Sequence, residues 1–114
     1  MVKNKEKLTP LTESTYLILL SLVDPLHGYG IMQKIENISE GRVKMGPGTL
    51  YGGLTSLVEK KMIKRVEDFA GSEERKKMYK ITDPGMEILR QEYLRMKQLL
   101  VISDKIFNKG HGNG

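Results

Sequence analysis

The spacing of apolar positions divides the chain into segments of different period. Tyr16, Leu17, Leu19, Leu20 and Val23 fall at helical intervals, and Asp24-Pro25 closes the run because proline cannot continue a helix. Thr9-Pro10 reads as the start of that helix, with threonine as cap and proline where a missing N–H costs nothing. After a turn containing His27 and Gly28, Ile31, Ile35 and Ile38 share one face of a second helix, which Gly41 ends. Arg42-Val43-Lys44-Met45 alternates over four residues and predicts a short strand. Leu50, Leu54, Leu57 and Val58 recur at i, i+4, i+7 and i+8, the apolar stripe of a third helix. Gly46 is an allowed N-cap for it and Pro47 suits its first position.

Beyond that helix the period shortens. Ile63 to Phe69 and Lys77 to Thr82 read as two strands of a hairpin around the charged loop Ala70-Gly71-Ser72-Glu73-Glu74. Thr82 or Asp83 then caps a long last helix, on which Met86, Leu89, Tyr93, Met96, Leu100, Ser103 and Phe107 alternate steps of three and four. This is a heptad seam interrupted only by Ser103, with Leu99, Ile102 and Ile106 as a second row beside it. From Pro84 to Asn108 such a helix spans roughly 40 Å, longer than the small domain before it can cover. The surplus apolar surface predicts a second copy of the chain. Tyr16, Met86, Leu89, Tyr93, Met96, Leu100 and Phe107 are the expected dimer interface.

Helix, helix, helix, hairpin and long helix, in that order, predict a winged helix-turn-helix. The fold class is mainly α (α+β), with a wing of two or three strands. The winged domain is placed at 8–82, the dimerisation helix at 83–108 and a disordered tail at 109–114.

Composition narrows the function. With 114 residues the chain makes one domain with a real core, and its formal charge of +5 permits an anionic partner. The absence of cysteine excludes disulfides and thiolate metal sites and suits a reducing cytoplasm. The apolar run from Tyr16 to Val23 is too short to span a membrane, and Lys3, Lys5 and Lys7 read as a solvated arm. Catalysis finds no support: His27 sits in a turn, His111 in the tail, and no nucleophile–base set or metal spacing can be assembled. Gly46-Pro47-Gly48 lacks the Lys-Ser or Lys-Thr of a phosphate-binding loop. A non-enzymatic protein with no cofactor is expected.

Binding chemistry is better represented. Residues 61 to 82 hold seven Lys or Arg against four acids, a local balance of +3 that fits either a solvated hairpin or a wing gripping phosphates. Glu73 and Glu74 at the hairpin tip argue against deep insertion into a minor groove. The third helix has no Arg, Asn or Gln between Gly46 and Glu59, so direct base readout would be modest, leaving more to the wing and to DNA shape. By spacing, Thr49, Gly52, Gly53 and Ser56 are the exposed positions. Tyr51 lies beside the core face, where it either meets DNA or packs onto the second helix. Gly52 and Gly53 each cost about 1 kcal/mol relative to alanine inside a helix. The expected return is close approach to DNA or to the second helix.

Three stretches together, LTESTYLILLSLVDPLHGYGI, GPGTLYGGLTSLVEKKMI and RKKMYKITDPGMEIL, resemble the PadR family of bacterial transcriptional regulators, in its short branch with one C-terminal helix. The likeness covers about residues 8 to 107. It rests on HGYGI, PGTLY and YKIT-x-x-G in the right order. The resemblance implies a homodimer on double-stranded operator DNA, usually a repressor, and many members answer to a small-molecule effector. It implies DNA contacts from Tyr29, Thr49, Tyr51, Gly52 and Ser56, and from Lys64, Arg75, Lys76 and Lys77 on the wing. Tyr16, Tyr93, Met96, Leu100 and Phe107 would line either an effector pocket or an ordinary dimer core. Two positions depart from the pattern. Lys61 replaces the usual glycine after the third helix and must turn left-handed there at some cost, or the helix ends differently, and Met78 replaces a common aromatic residue at the base of the wing. There is also no tryptophan to hold a flat drug. The competing reading is a winged-helix protein–protein adaptor that does not bind DNA.

Overall fold

The apolar faces of the first three helices meet in one core. The computed structural model describes residues 9–67 and 77–112. In chain order the elements are α1 (Glu13–Ser21), β1 (Leu26–His27), α2 (Gly28–Ile38), α3 (Pro47–Glu59), β2 (Ile63–Val66), β3 (Met78–Ile81) and α4 (Asp83–Gly112). Ile18 and Leu19 from α1, Ile31 and Ile35 from α2, and Leu50, Leu54 and Leu57 from α3 are buried together. Ile63, Tyr79 and Ile81 of the sheet and Leu89 of α4 close the core. Burial of each such side chain contributes about 1.5–3 kcal/mol before entropy is counted.

The sheet is antiparallel in the order β1-β3-β2. Ile63 pairs with Ile81 on the core face, which leaves Lys64 opposite Lys80 on the outer face. The wing therefore has three strands, and the third comes from an unexpected place. Residues 42–45 form no strand; the free edge of β3 is taken by Leu26 and His27, paired with Tyr79 and Met78. Ile81 N–H also donates to Leu22 O at 2.9 Å, tying β3 to the end of α1.

Helix boundaries follow local capping chemistry. Thr12, not Thr9-Pro10, caps α1: its hydroxyl accepts from Thr15 N–H at 3.2 Å. The helix ends at Ser21 rather than at Val23. Gly46 and Pro47 open α3 as the sequence indicates. At its far end Lys61 N–H donates to Val58 O and Met62 N–H to Leu57 O, both at 2.9 Å. These two bonds make a Schellman motif, and they require Lys61 at φ 62°, the left-handed turn inferred from the missing glycine. The same device ends α2, with Glu40 at φ 54° and Gly41 N–H on Glu36 O. Lys61→Gly should therefore raise stability by about 1 kcal/mol, read as a higher urea midpoint with an unchanged slope.

Thr82 caps α4 and locks it to the end of α3. Its hydroxyl accepts from Gly85 N–H at 3.1 Å and donates to Lys61 O at 2.8 Å, while its own N–H donates to Met62 O at 3.0 Å. Gly85 is buried against that same Met62 peptide: a Cβ there would lie 2.9 Å from Met62 C and nearer still to its carbonyl oxygen. The last helix runs to Gly112, past the expected end at Asn108. From Tyr93 to Lys109 every residue is exposed except the half-buried Ser103.

Candidate nucleic-acid interface

The outward stripe of α3 follows from its inward one. With Leu50, Leu54 and Leu57 in the core, Gly48, Gly52 and Thr55 fall on the opposite side and are exposed. Nothing lies within 4 Å of where a side chain would begin at Gly48 or Gly52, so the helix presents bare backbone there. Thr55 adds one hydroxyl, which donates to Tyr51 O at 3.0 Å. Thr49 is exposed beside this stripe.

Gly53 and Ser56 do not belong to that surface. Gly53 faces α1, where its missing Cβ makes room for Ile18 Cδ1, 3.2 Å from the vacant position. Its return is close packing onto α1, not onto DNA or α2. Ser56 is half-buried in a groove with Pro10, Leu11, Thr12 and Thr15. One hundred degrees per residue separates these two from the outward stripe, a distinction that exposure by spacing alone had blurred.

Tyr51 packs onto the second helix and still stays accessible. Its ring lies over Gly28 at the start of α2: a Cβ on Gly28 would stand 2.7 Å from Tyr51 Cζ and 3.0 Å from Cε1. The residue nevertheless remains 45% exposed. Two sequence motifs, HGYGI and PGTLY, thus touch through a glycine and a tyrosine.

Beside this contact is an open depression lined by His27, Gly28, Tyr29, Gly30, Tyr51 and Lys77. Gly28, Tyr29 and Gly30 form the first turn of α2, and its N-cap residue His27 makes no side-chain capping bond. That turn's N–H groups carry the partial positive charge of a helix start. With the exposed Lys77 ammonium and the Tyr51 hydroxyl, the lining suits an oxyanion such as a backbone phosphate. Tyr29, 67% exposed, stands at its rim.

On the wing Lys64 and Lys80 are both exposed and directly opposite, an arrangement that costs stability unless an anion faces it. Arg75, Lys76 and the loop with Glu73 and Glu74 lie outside the described residues.

The expected dimer residues divide in two. Leu89 is 4% exposed and belongs to the protomer's own core, and Met86 and Tyr16 are half-buried against it. The first heptad of the seam is spent on α4's own domain. Tyr93, Met96, Leu100 and Phe107 are exposed, together with Leu99, Ile102 and Ile106. Lys97 Nζ lies 5.6 Å from the centroid of the Tyr93 ring, a cation–π contact that leaves the apolar row open.

Glu92 escaped the sequence reading. It sits three residues after Leu89 on the buried stripe Gly85, Leu89, Glu92, yet i, i+3 from Arg95 it looks like half of a surface pair. Hydrogen bonds from Arg95 and from Leu11 N–H, with the Arg95 charge, hold its carboxyl below the usual range against the opposing effect of burial. The same pairing raises Arg95. Burial pushes the Tyr16 hydroxyl up, with Tyr93 and Glu92 adding to the shift.

Among the described residues no cluster of His, Cys, Asp or Glu could hold a metal ion, and no helix is long and apolar enough to cross a membrane.

Comparison with known proteins assigns the fold to a family. Residues 17–91, more than half of the chain, match the model of the transcriptional regulator PadR-like family. A 37.1 kDa protein of transposon TN4556 from Streptomyces fradiae is 36% identical over 88 residues, 76% of this chain and 24% of its own length. The transcriptional regulator YqjI of Escherichia coli is 29% identical over 79% of this chain and 41% of its own. The chain thus spans less than half the length of these relatives. A PadR-like transcription factor from Bacteroides fragilis superposes with a TM-score of 0.70 at 26% identity, covering 90% of this chain and 98% of that one. Bacillus subtilis PadR, solved in complex with operator DNA, gives a TM-score of 0.62 at 26% identity over 70% of this chain and 46% of its own. With its winged helix, its long last helix and two of its three motifs in contact, the chain belongs to the PadR-like family of transcriptional regulators.

Proposed function

We propose that the chain is a homodimeric DNA-binding regulator, a repressor working in the cytoplasm on a pseudo-palindromic operator. One observation carries this reading: the bare outward stripe of α3, the Tyr29–Tyr51–Lys77 depression and the wing lie side by side on one protomer. Gly48 and Gly52 let the α3 backbone sink into a major groove, Thr49 and Thr55 offer hydroxyls, and the start of α2 with Lys77 grips a phosphate. The operator complex of the Bacillus subtilis relative supports the same use of the fold. The row from Tyr93 to Phe107 supports a partner, since so long an apolar strip is rarely left in water. Two recognition helices would then enter successive major grooves. A small-molecule effector would act by altering the angle between them.

The absence of Arg, Asn and Gln from α3 favours one rival, a protein–protein adaptor. Charge reversal separates the two. Lys77→Glu should lower affinity for a duplex selected from random DNA by about tenfold or more and flatten the salt dependence by roughly one unit of slope. Lys64→Glu should do the same more weakly. If fluorescence anisotropy shows wild-type protein binding selected and scrambled duplexes alike, the regulator reading fails and the adaptor stands.

A further inference from the structure

Glu92 is the one buried charged residue among those described, at 4% exposure, and the last position of α4 that its own domain covers. Its Oε1 accepts from Leu11 N–H at 2.9 Å. Arg95 grips it from the next turn, Nε donating to Oε2 and Nη2 to Oε1, each at 3.0 Å. Leu11 immediately precedes the Thr12 cap of α1, and with Pro10, Thr12 and Thr15 it lines a groove shared with Gly53, Ser56 and Leu57 of α3. One residue is thus tied to α4 through its backbone while it lines a groove beside α3.

Packing alone does not call for a carboxylate here. An apolar residue of similar volume would fill the site without the cost of desolvating a charge. What the carboxylate adds is direction: Arg95, on the same helix, holds its orientation, and the bond from Leu11 N–H ties that point of α4 to the residue ahead of the α1 cap. A tilt of about 10° acting over roughly 20 Å displaces a recognition helix by about one base-pair step. We infer that Glu92 is a positioning residue that sets the angle between α4 and the winged domain, and through it the half-site spacing that the dimer accepts. The inference rests on the DNA-binding reading.

The test uses the full chain and a duplex selected by the wild-type protein, together with the same duplex carrying one base pair more or fewer between half-sites. Wild-type protein should lose about tenfold in affinity or more on the altered spacings. Glu92→Ala, folded and dimeric by circular dichroism and size exclusion, should bind the selected spacing at least about tenfold more weakly and distinguish the three spacings by less than about threefold. Should that variant not fold, Glu92→Gln keeps an acceptor for Leu11 but weakens the grip of Arg95, and it should show partial loss of discrimination. A purely structural role would weaken all three duplexes together and leave their ratios intact; that result overturns the inference. A wild-type protein that selects no duplex overturns the DNA-binding reading, and this inference falls with it.

Discussion

Gly85→Ala is expected to destabilise the protein by about 2–4 kcal/mol, a large part of the margin of a small domain. The added methyl would stand 2.9 Å from Met62 C, 3.0 Å from Ile81 Cγ1 and closer to Met62 O. Two of those atoms are backbone, and the Met62 peptide is held in place by Thr82 N–H and by the Schellman bond to Leu57 O. It cannot yield without undoing the lock between α3 and α4. A helix interior normally favours alanine over glycine by about 1 kcal/mol, so intrinsic propensity works in the opposite direction and loses. Urea unfolding measures the outcome. Glu87→Ala, an exposed change two residues along, is the control and should stay within about 0.5 kcal/mol of wild type. A Gly85→Ala variant as stable as the control would mean that the close approach of α4 to α3 is wrong.

Gly28→Ala should behave differently although its nominal clash is as severe. The obstructing atoms belong to the tip of the Tyr51 ring, which is partly exposed and can swing aside. The rotamer cost of about 1 kcal/mol is offset by a gain of similar size from alanine in the first turn of α2. Stability should hardly change. DNA affinity should fall about tenfold to a hundredfold, because the displaced ring takes its hydroxyl out of the depression and enters the space beside Lys77. A double-mutant cycle isolates the cause: in a Tyr51→Ala background, Gly28→Ala should bring no further loss. Additive losses from the two substitutions would show that Gly28 acts by some route other than Tyr51.

These two glycines show what could and could not be read from the chain. HGYGI and YKIT-x-x-G are visible as motifs, but the reason for each glycine is a side chain or peptide distant in sequence, Tyr51 for Gly28 and Met62 for Gly85. Lys61 was legible through the glycine missing from that place: where the helix turns left-handed, the residue there takes the positive φ, whereas α1 ends without one. The heptad seam was legible as a face, not as a partner. A period of three and four is the same whether a residue meets its own core, as Leu89 does, or lies exposed, as Leu100 does. Leu26-His27 is two residues long and has no period to detect; only the vacant edge of β3 makes it a strand. Thr9-Pro10 and Thr12 both satisfy the rules for a helix start, and the bond to Thr15 N–H selects Thr12. Glu92 stayed hidden because its decisive partner, Leu11, is 81 residues away.

The outward stripe of α3, the start of α2 and Lys77 are proposed to act as one DNA-binding surface. Titrating isotope-labelled protein with its selected duplex and following backbone amide shifts by heteronuclear NMR tests it residue by residue. The largest changes should gather at Gly28, Tyr29, Gly30, Gly48, Thr49, Tyr51, Gly52, Thr55 and Lys77, while the buried side of α3 at Leu50 and Leu54 moves less. Saturating duplex that leaves those amides unshifted, or that perturbs only the exposed row of α4 from Tyr93 to Phe107, would contradict the account.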